Sequence, residues 1–198
     1  MNYPRVPLIL LAAGESKRMG KPKQLLPYKK SSLIRHAATE AVVSFCDPVI
    51  VVLGANSDRI SLEINDLPVG IAHNSRWQQG MSASIAIGID TLLKMKIDFN
   101  AVVIALADQP LVTARVYNRL IEIYYQNKVR AVASNYSDTI GVPALFDGTI
   151  IPELLKMNHQ GGAKQLLARY SKRAFNLDLP EAAVDIDTTT DYQKLLEI

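Results

Sequence analysis

The chain has 198 residues, 48% of them hydrophobic and 21% charged, with a net charge of +3, which marks an ordinary globular protein of one domain (1–198) with a substantial core. Outside one loop the cations are scattered, which excludes the dense basic face with interleaved aromatics that a nucleic-acid track needs, so a small anionic ligand is expected and no nucleic acid. The single cysteine, Cys46, excludes an intramolecular disulfide and a Cys-based zinc cluster, and the apolar run before Glu15 is too short to span a membrane; no membrane partner and no export are expected, and the expected location is cytoplasmic.

In chain order, the first expected element is an apolar strand over 6–11, which empties into Gly14-Glu15-Ser16-Lys17-Arg18-Met19-Gly20-Lys21-Pro22-Lys23, a loop with four cations in seven residues. Glycines allow backbone N–H groups to approach an anion closely, and Lys and Arg add charge, so the loop reads as a phosphate cradle. Five residues separate Gly14 from Gly20 and Pro22 follows Lys21, so it is not a Walker loop; Ser16 stands where a dinucleotide fingerprint needs its second glycine. A helix capped by Ser31 or Ser32 is expected next, with Ile34, Ala38, Ala41, Val42 and Phe45 on one face. Further strands are expected over 49–53, 69–72, 101–107 and 131–133.

Between them, Gly80 opens a helix with Met81, Ile85, Ile89 and Leu92 in one stripe, which puts Ser82 and Ser84 in a first turn able to meet a polar ligand. Trp77 just before it is expected to pack. Thr113 is expected to cap another helix, carrying Val116, Leu120 and Tyr124. The strands at 49–53 and 101–107 are almost continuously apolar, as strands covered on both faces are. The expected fold is therefore α/β, a three-layer doubly wound sandwich with a mainly parallel sheet of Rossmann-like kind. In such sheets ligands sit at the carboxyl ends of the strands, so the glycine loop and Asp108, which leaves the strand at 101–107, should face one crevice. Asp108 there is suited to holding a divalent ion beside phosphates. His36, His73 and His159 are too scattered for a zinc set.

The run LAAGESKRMGKPKQLLP at 11–27 resembles the signature of the MobA-like nucleotidyltransferases, closest to their molybdenum cofactor cytidylyltransferase branch. NSRWQQGMSASI at 74–85, LADQPL at 106–111, GVPALF at 141–146 and DIDTTTD at 185–191 follow in that family's order, so the resemblance covers nearly the whole chain. It implies a nucleotide-binding set of Leu11, Ala12, Ala13, Gly14, Ser16, Arg18, Gly20, Lys23, Asn74, Gly80, Ser84 and Asp108, with Gly80 and Ser84 bordering base and ribose. Members reading LAAG tend to use CTP and those reading LAGG GTP, so Ala13 favours CTP; the implied acceptor is a molybdopterin-type cofactor, with a molybdoenzyme-maturation protein as a possible partner. On the acceptor side this chain departs from the family pattern: Val142 precedes the proline where His or Asn is common, and Gln160 and Lys164 replace an Asp and an Arg.

Nucleotidyl transfer brings two anions together and expels a third, so positioning cations and a metal should outnumber acids and bases. Arg18, Lys23 and Asp108 are the expected catalytic residues. Arg18 is assigned to the β and γ phosphates, Lys23 to the α-phosphate, and Asp108 with Asp187 to a magnesium ion. The alternatives are a sugar-1-phosphate nucleotidylyltransferase, a guanylyltransferase, or a module that binds nucleotide without turnover.

Overall fold

A computed structural model describes residues 4–137, 139–157, 162–170 and 174–198, without the side chains of 162 and 164–166. The strands in chain order are β1 (Leu8–Ala12), β2 (Pro27–Tyr28), β3 (Ser31–Ser32), β4 (Val49–Leu53), β5 (Gly70–His73), β6 (Ala101–Leu106), β7 (Ala131–Tyr136), β8 (Thr139–Asp147) and β9 (Ala174–Asp178). The α-helices are α1 (Leu33–Val42), α2 (Ser57–Leu62), α3 (Met81–Lys94), α4 (Ala114–Asn127), α5 (Ile151–Leu155), α6 (Gly162–Tyr170) and α7 (Thr189–Leu196).

Seven strands form one sheet in the order β5-β4-β1-β6-β8-β7-β9, in which only β8 runs against its neighbours; β2 and β3 make a separate small hairpin. The period-two alternation of the strands divides the core. Leu8, Leu10 and Ala12 of β1 face one layer with Val51, Val103 and the buried sides of α1, α2 and α4. Ile9 and Leu11 face the other with Val52, Ile104 and the buried sides of α3, α5 and α6. With helices on both faces, each residue of β1 and β4 is buried, which is why those strands carry no polar alternation. The three-layer doubly wound sandwich expected from the sequence is the observed fold.

Topology sets the location of the site. β1 pairs with β4 on one side and β6 on the other, so the chain leaves β1 in one direction and returns later on the opposite flank. The loops after β1 and β6 diverge there, which leaves a crevice at the carboxyl ends of the strands.

Several local expectations are corrected. α1 ends at Val42, so Phe45 lies beyond it and is exposed rather than on its buried face. Of the two serines expected as a cap for α1, Ser32 is the one that serves, accepting from the Arg35 N–H at 3.4 Å. The Thr113 side chain makes no cap on α4; the Glu40 carboxylate of α1 accepts from the Ala114 N–H at 2.8 Å instead, a negative charge placed at the positive end of the helix. β8, β9 and the β2–β3 hairpin were not anticipated. Thr188 caps α7 in a reciprocal capping box with Asp191.

No helix among the described residues is long and apolar enough to cross a membrane. Cys46 is buried in the layer under α1, and burial, against a weaker opposing bond with Ser44, pushes its thiol up to about 12. Native protein at about pH 8 should therefore alkylate at Cys46 only as fast as it unfolds, measured by mass spectrometry of iodoacetamide adducts; labelling within minutes without denaturant would contradict that placement.

Candidate functional site

The loop after β1 is a short, internally braced turn. Ser16 (φ 61°) and Gly20 (φ 65°) both take left-handed backbone and bracket a 3₁₀ turn, Lys17–Met19, whose Met19 and Gly20 N–H groups donate back to the Ser16 and Lys17 carbonyls. Glycine adopts such a conformation without cost, whereas Ser16 is held in it. What holds it is Gln24, a residue the sequence reading passed over. Its side chain is only 4% exposed, and its Nε2 donates to the Ala12 carbonyl at 3.1 Å and the Gly14 carbonyl at 2.9 Å. The Ser16 hydroxyl donates to Gln24 Oε1 at 3.3 Å and accepts from the Lys23 N–H at 3.1 Å. One carboxamide thus pins the loop at three points, and the candidate ligand Ser16 spends its hydroxyl inside the loop.

A small satellite core carries the loop from below. Met19 of the loop packs with Leu26, Tyr28, Leu33, Ile186 and Leu195, so the C-terminal segment is anchored to the same cluster. Ile186 is fully buried, and its N–H donates to the Asp108 carbonyl at 3.0 Å. The neighbours of Ile186 therefore point away from that core toward the crevice, which brings Asp187 beside Asp108 from 79 positions along the chain. The buried Gln109 amide ties the turn after β6 down by donating to the Val142 and Ala182 carbonyls at 3.2 and 2.8 Å. His36 braces the same turn, its Nε2 lying 3.0 Å from the Pro110 carbonyl.

Lys23 Nζ bonds to Asp108 Oδ2 at 2.6 Å and to Asp187 Oδ1 at 2.8 Å, and Arg18 Nη2 bonds to Asp187 Oδ2 at 2.6 Å. The Lys23 side chain is 12% exposed and that of Arg18 68%, so the lysine is a sheltered bridge and the arginine an outer, solvent-screened partner. Burial works against the Lys23 ammonium, but Asp108 and Asp187 outweigh it and hold it above the usual lysine range. Burial likewise opposes the Asp187 carboxylate, which Lys23 and Arg18 nevertheless hold below the ordinary range. Asp185 is pushed the other way, by burial and then by the charges of Asp187 and Asp108.

Next to this charged cluster lies a cavity of about 220 Å³, lined by Leu11, Ala12, Ala13, Gly14, Lys23, Gln24, Leu33, Trp77, Gly80, Met81, Ser84, Leu106, Ala107 and Asp108. Eight of the sequence-derived residues meet there: Leu11, Ala12, Ala13, Gly14, Lys23, Gly80, Ser84 and Asp108. Ser16, Arg18, Gly20 and Asp187 belong to its charged rim or its support. Asn74 does not reach it; buried, it donates from Nδ2 to the Ser84 hydroxyl at 2.9 Å and so orients a residue that does. Trp77, expected to pack, lines the cavity, and its close seat on β4 depends on Gly54: a Cβ there would come within 2.6 Å of the Trp77 Cβ and of the Ala13 carbonyl. Gly80 turns the chain into α3 with φ 96°, a conformation other residues avoid. Val142 is a core side chain, while His159 and Gln160 lie outside the described residues.

A doubly wound sandwich with a glycine-loop cradle and paired carboxylates at its switch point defines a nucleotide-handling α/β protein. Residues 8–174 match the MobA-like NTP transferase domain, and the chain belongs to that family. Nicotine blue oxidoreductase of Paenarthrobacter nicotinovorans is 30% identical to it over 98% of each chain. Molybdenum cofactor cytidylyltransferase of Escherichia coli (strain K12) is 21% identical over 93% of this chain and 92% of that one. Among solved structures, Rv0371c from Mycobacterium tuberculosis H37Rv superposes with a TM-score of 0.81 at 25% identity, with 100% of both chains covered. That protein is also known as a complex with manganese, at TM-score 0.79, 24% identity and 98% of each chain.

Asp108 Oδ1 is buried and makes no hydrogen bond, although its partner oxygen is bonded to Lys23. An orphan carboxylate oxygen beside a second carboxylate is a fitting donor set for a hard divalent ion that takes its remaining ligands from phosphates and water. Among the described residues no third His, Cys, Asp or Glu completes an all-protein metal cage.

Gln24→Leu should leave the Ala12 and Gly14 carbonyls unpaired, which costs about 1–3 kcal/mol for each buried group. Urea denaturation should show a loss of that order, and calorimetric nucleoside triphosphate affinity should fall at least tenfold. Unchanged stability and affinity would mean the carboxamide does not set the loop.

Proposed function

We propose that this protein is a magnesium-dependent nucleotidyltransferase that transfers CMP from CTP to the phosphate of a molybdopterin-type cofactor and releases pyrophosphate. The observation that carries the reading is the set Arg18, Lys23, Asp108 and Asp187, joined within hydrogen-bond distance at the mouth of the cavity that the glycine loop lines. Base and ribose occupy the cavity, between the loop backbone on one side and Gly80 and Ser84 on the other. The outer phosphates lie on the loop with Arg18, and Lys23 meets the α-phosphate, where negative charge grows during transfer. An acceptor phosphate oxygen forms a bond to the α-phosphorus while the bond from that phosphorus to the bridging oxygen breaks, and the electron pair leaves with pyrophosphate. The acceptor is already ionised, so no protein nucleophile or base is needed. Asp108 and Asp187 would hold a magnesium ion, which would supply charge neutralisation on the phosphates. Ala13 and the LAAG form of the loop support CTP, and the identity to a molybdenum cofactor cytidylyltransferase supports the acceptor.

A second reading is favoured by the relative named nicotine blue oxidoreductase, which matches over 98% of both chains. The apolar lining by Leu11, Leu33, Trp77, Met81 and Leu106 suits a flat aromatic ring as readily as a base. The transferase reading accounts for more of the site, because electron transfer to a dye gives no role to two carboxylates bridged by a lysine.

The two separate in one assay series. Pyrophosphate release from each nucleoside triphosphate, with molybdenum cofactor and with common sugar phosphates as acceptors, should be largest with CTP and the cofactor. Asp108→Ala should reduce it by about 10³-fold or more, on the scale of removing a transition-state charge contact, while circular dichroism and melting stay near wild type. Dye reduction with a nicotinamide cofactor and no pyrophosphate from any pair would support the second reading and defeat the first.

A further inference from the structure

We propose that Lys23 is a tethered counter-ion that holds the Asp108–Asp187 pair in the nucleotide-free protein, so that a divalent cation displaces it only weakly when alone and far more readily when a triphosphate gives the lysine a new partner. The proposal rests on the transferase reading above and adds an order of events to it.

The rigid and the movable parts of the cluster are clearly divided. Asp108 is fixed by the turn that Gln109 braces, and Asp187 by its N–H bond to Asp191 Oδ2 at 3.2 Å and by the buried Ile186 beside it. The Lys23 backbone is pinned too, its N–H donating to Ser16 Oγ at 3.1 Å. Only the long side chains of Lys23 and Arg18 are free to change partners. As they stand, two cations and two carboxylates form a closed, neutral set: Lys23 spans both acids at 2.6 and 2.8 Å, and Arg18 takes the outer oxygen of Asp187 at 2.6 Å.

A divalent ion arriving alone must expel an ammonium that is 12% exposed from both of its bonds and leave it in a sheltered place with no acceptor. Stripping a buried charge of its partner is among the costlier events in a protein. A triphosphate removes that obstacle, because its oxygens take over Lys23 and Arg18 while the carboxylates take the metal, and every charge keeps a partner. Asp108 Oδ1, buried and unbonded, is the point at which the ion first finds a free donor. Metal and nucleotide should therefore bind with positive cooperativity, each raising the affinity of the other by the same factor.

The test uses the full chain and manganese as probe, with free Mn²⁺ counted by electron paramagnetic resonance, for wild type and Lys23→Met, with and without a non-hydrolysable CTP analogue. Without nucleotide, Lys23→Met should bind Mn²⁺ at least tenfold more tightly than wild type. The analogue should tighten Mn²⁺ binding to wild type by tenfold or more, and to the variant much less. Equal Mn²⁺ affinity of the two proteins without nucleotide overturns the exchange, and leaves the transferase reading standing if the analogue still recruits Mn²⁺. Absence of Mn²⁺ binding to wild type under both conditions overturns both. Because loss of the ammonium can unfold the variant, wild type is also acetylated and mapped by mass spectrometry. Saturating Mn²⁺ alone should raise labelling of Lys23 several-fold relative to the exposed Lys21, and the analogue should restore its protection. A Lys23 to Lys21 ratio that does not move with Mn²⁺ overturns the proposal.

Discussion

Two carboxylates, Asp108 and Asp187, are held side by side in a sheltered crevice although their charges repel, and a single ammonium, Lys23, makes that arrangement tenable. Much of the surrounding structure serves to keep the three together. The switch in strand order between the parallel neighbours β1 and β6 sets the loop that carries Lys23 next to the turn that carries Asp108. The satellite core of Met19, Leu26, Tyr28, Leu33, Ile186 and Leu195 fastens the third member, since Asp187 follows the buried Ile186. Gln24 and Gln109, both buried, brace the two loops from within through backbone carbonyls, so the stiffness of the site comes from carboxamides and the charge from elsewhere.

The site has two halves with different physics. The charged rim is suited to phosphates, because placement of opposite charge has its largest effect in a sheltered crevice. The cavity beside it is mostly apolar, walled by Leu11, Leu33, Trp77, Met81 and Leu106, and suits a planar ring. Gly54 and Gly80 shape that wall without taking part in chemistry: one lets Trp77 and Ala13 close on β4, and the other turns the chain into α3. Membership of the MobA-like NTP transferase family fits this division, and the 30% identity to a protein named as an oxidoreductase shows why the family alone does not fix the reaction.

The parallel half of the sheet was legible in the sequence because β1, β4 and β6 are continuously apolar runs, and the expected limits of β4 agree with the observed ones. β8 was hidden because Gly141 and Pro143 break its apolar run, and it is reversed and irregular in its pairing with β7 between Ala133 and Ser134. β9 is an edge strand with half-buried and exposed residues and so has no clean alternation. At the site, loop charge and strand-end position pointed to Lys23, Arg18 and Asp108, and the family resemblance to Asp187, but the direct bonds among them depend on tertiary placement of the C-terminal segment. Gln24 gave no signal, since a glutamine after a lysine looks like surface until the carbonyls it must satisfy are seen. Thr113 failed as a cap for the same reason: the better acceptor, Glu40, came from another helix.

The central claim is that one charged cluster receives both the metal and the triphosphate. It is tested most directly by the anomalous scattering of manganese in crystals grown with a non-hydrolysable CTP analogue. The account predicts a manganese peak within about 2.3 Å of oxygens from both Asp108 and Asp187, on the order of hard-cation ligand distances, with Lys23 Nζ moved onto the α-phosphate and the base in the cavity beside Trp77. A manganese peak away from these carboxylates, or a bound nucleotide that leaves Lys23 between Asp108 and Asp187, would contradict it.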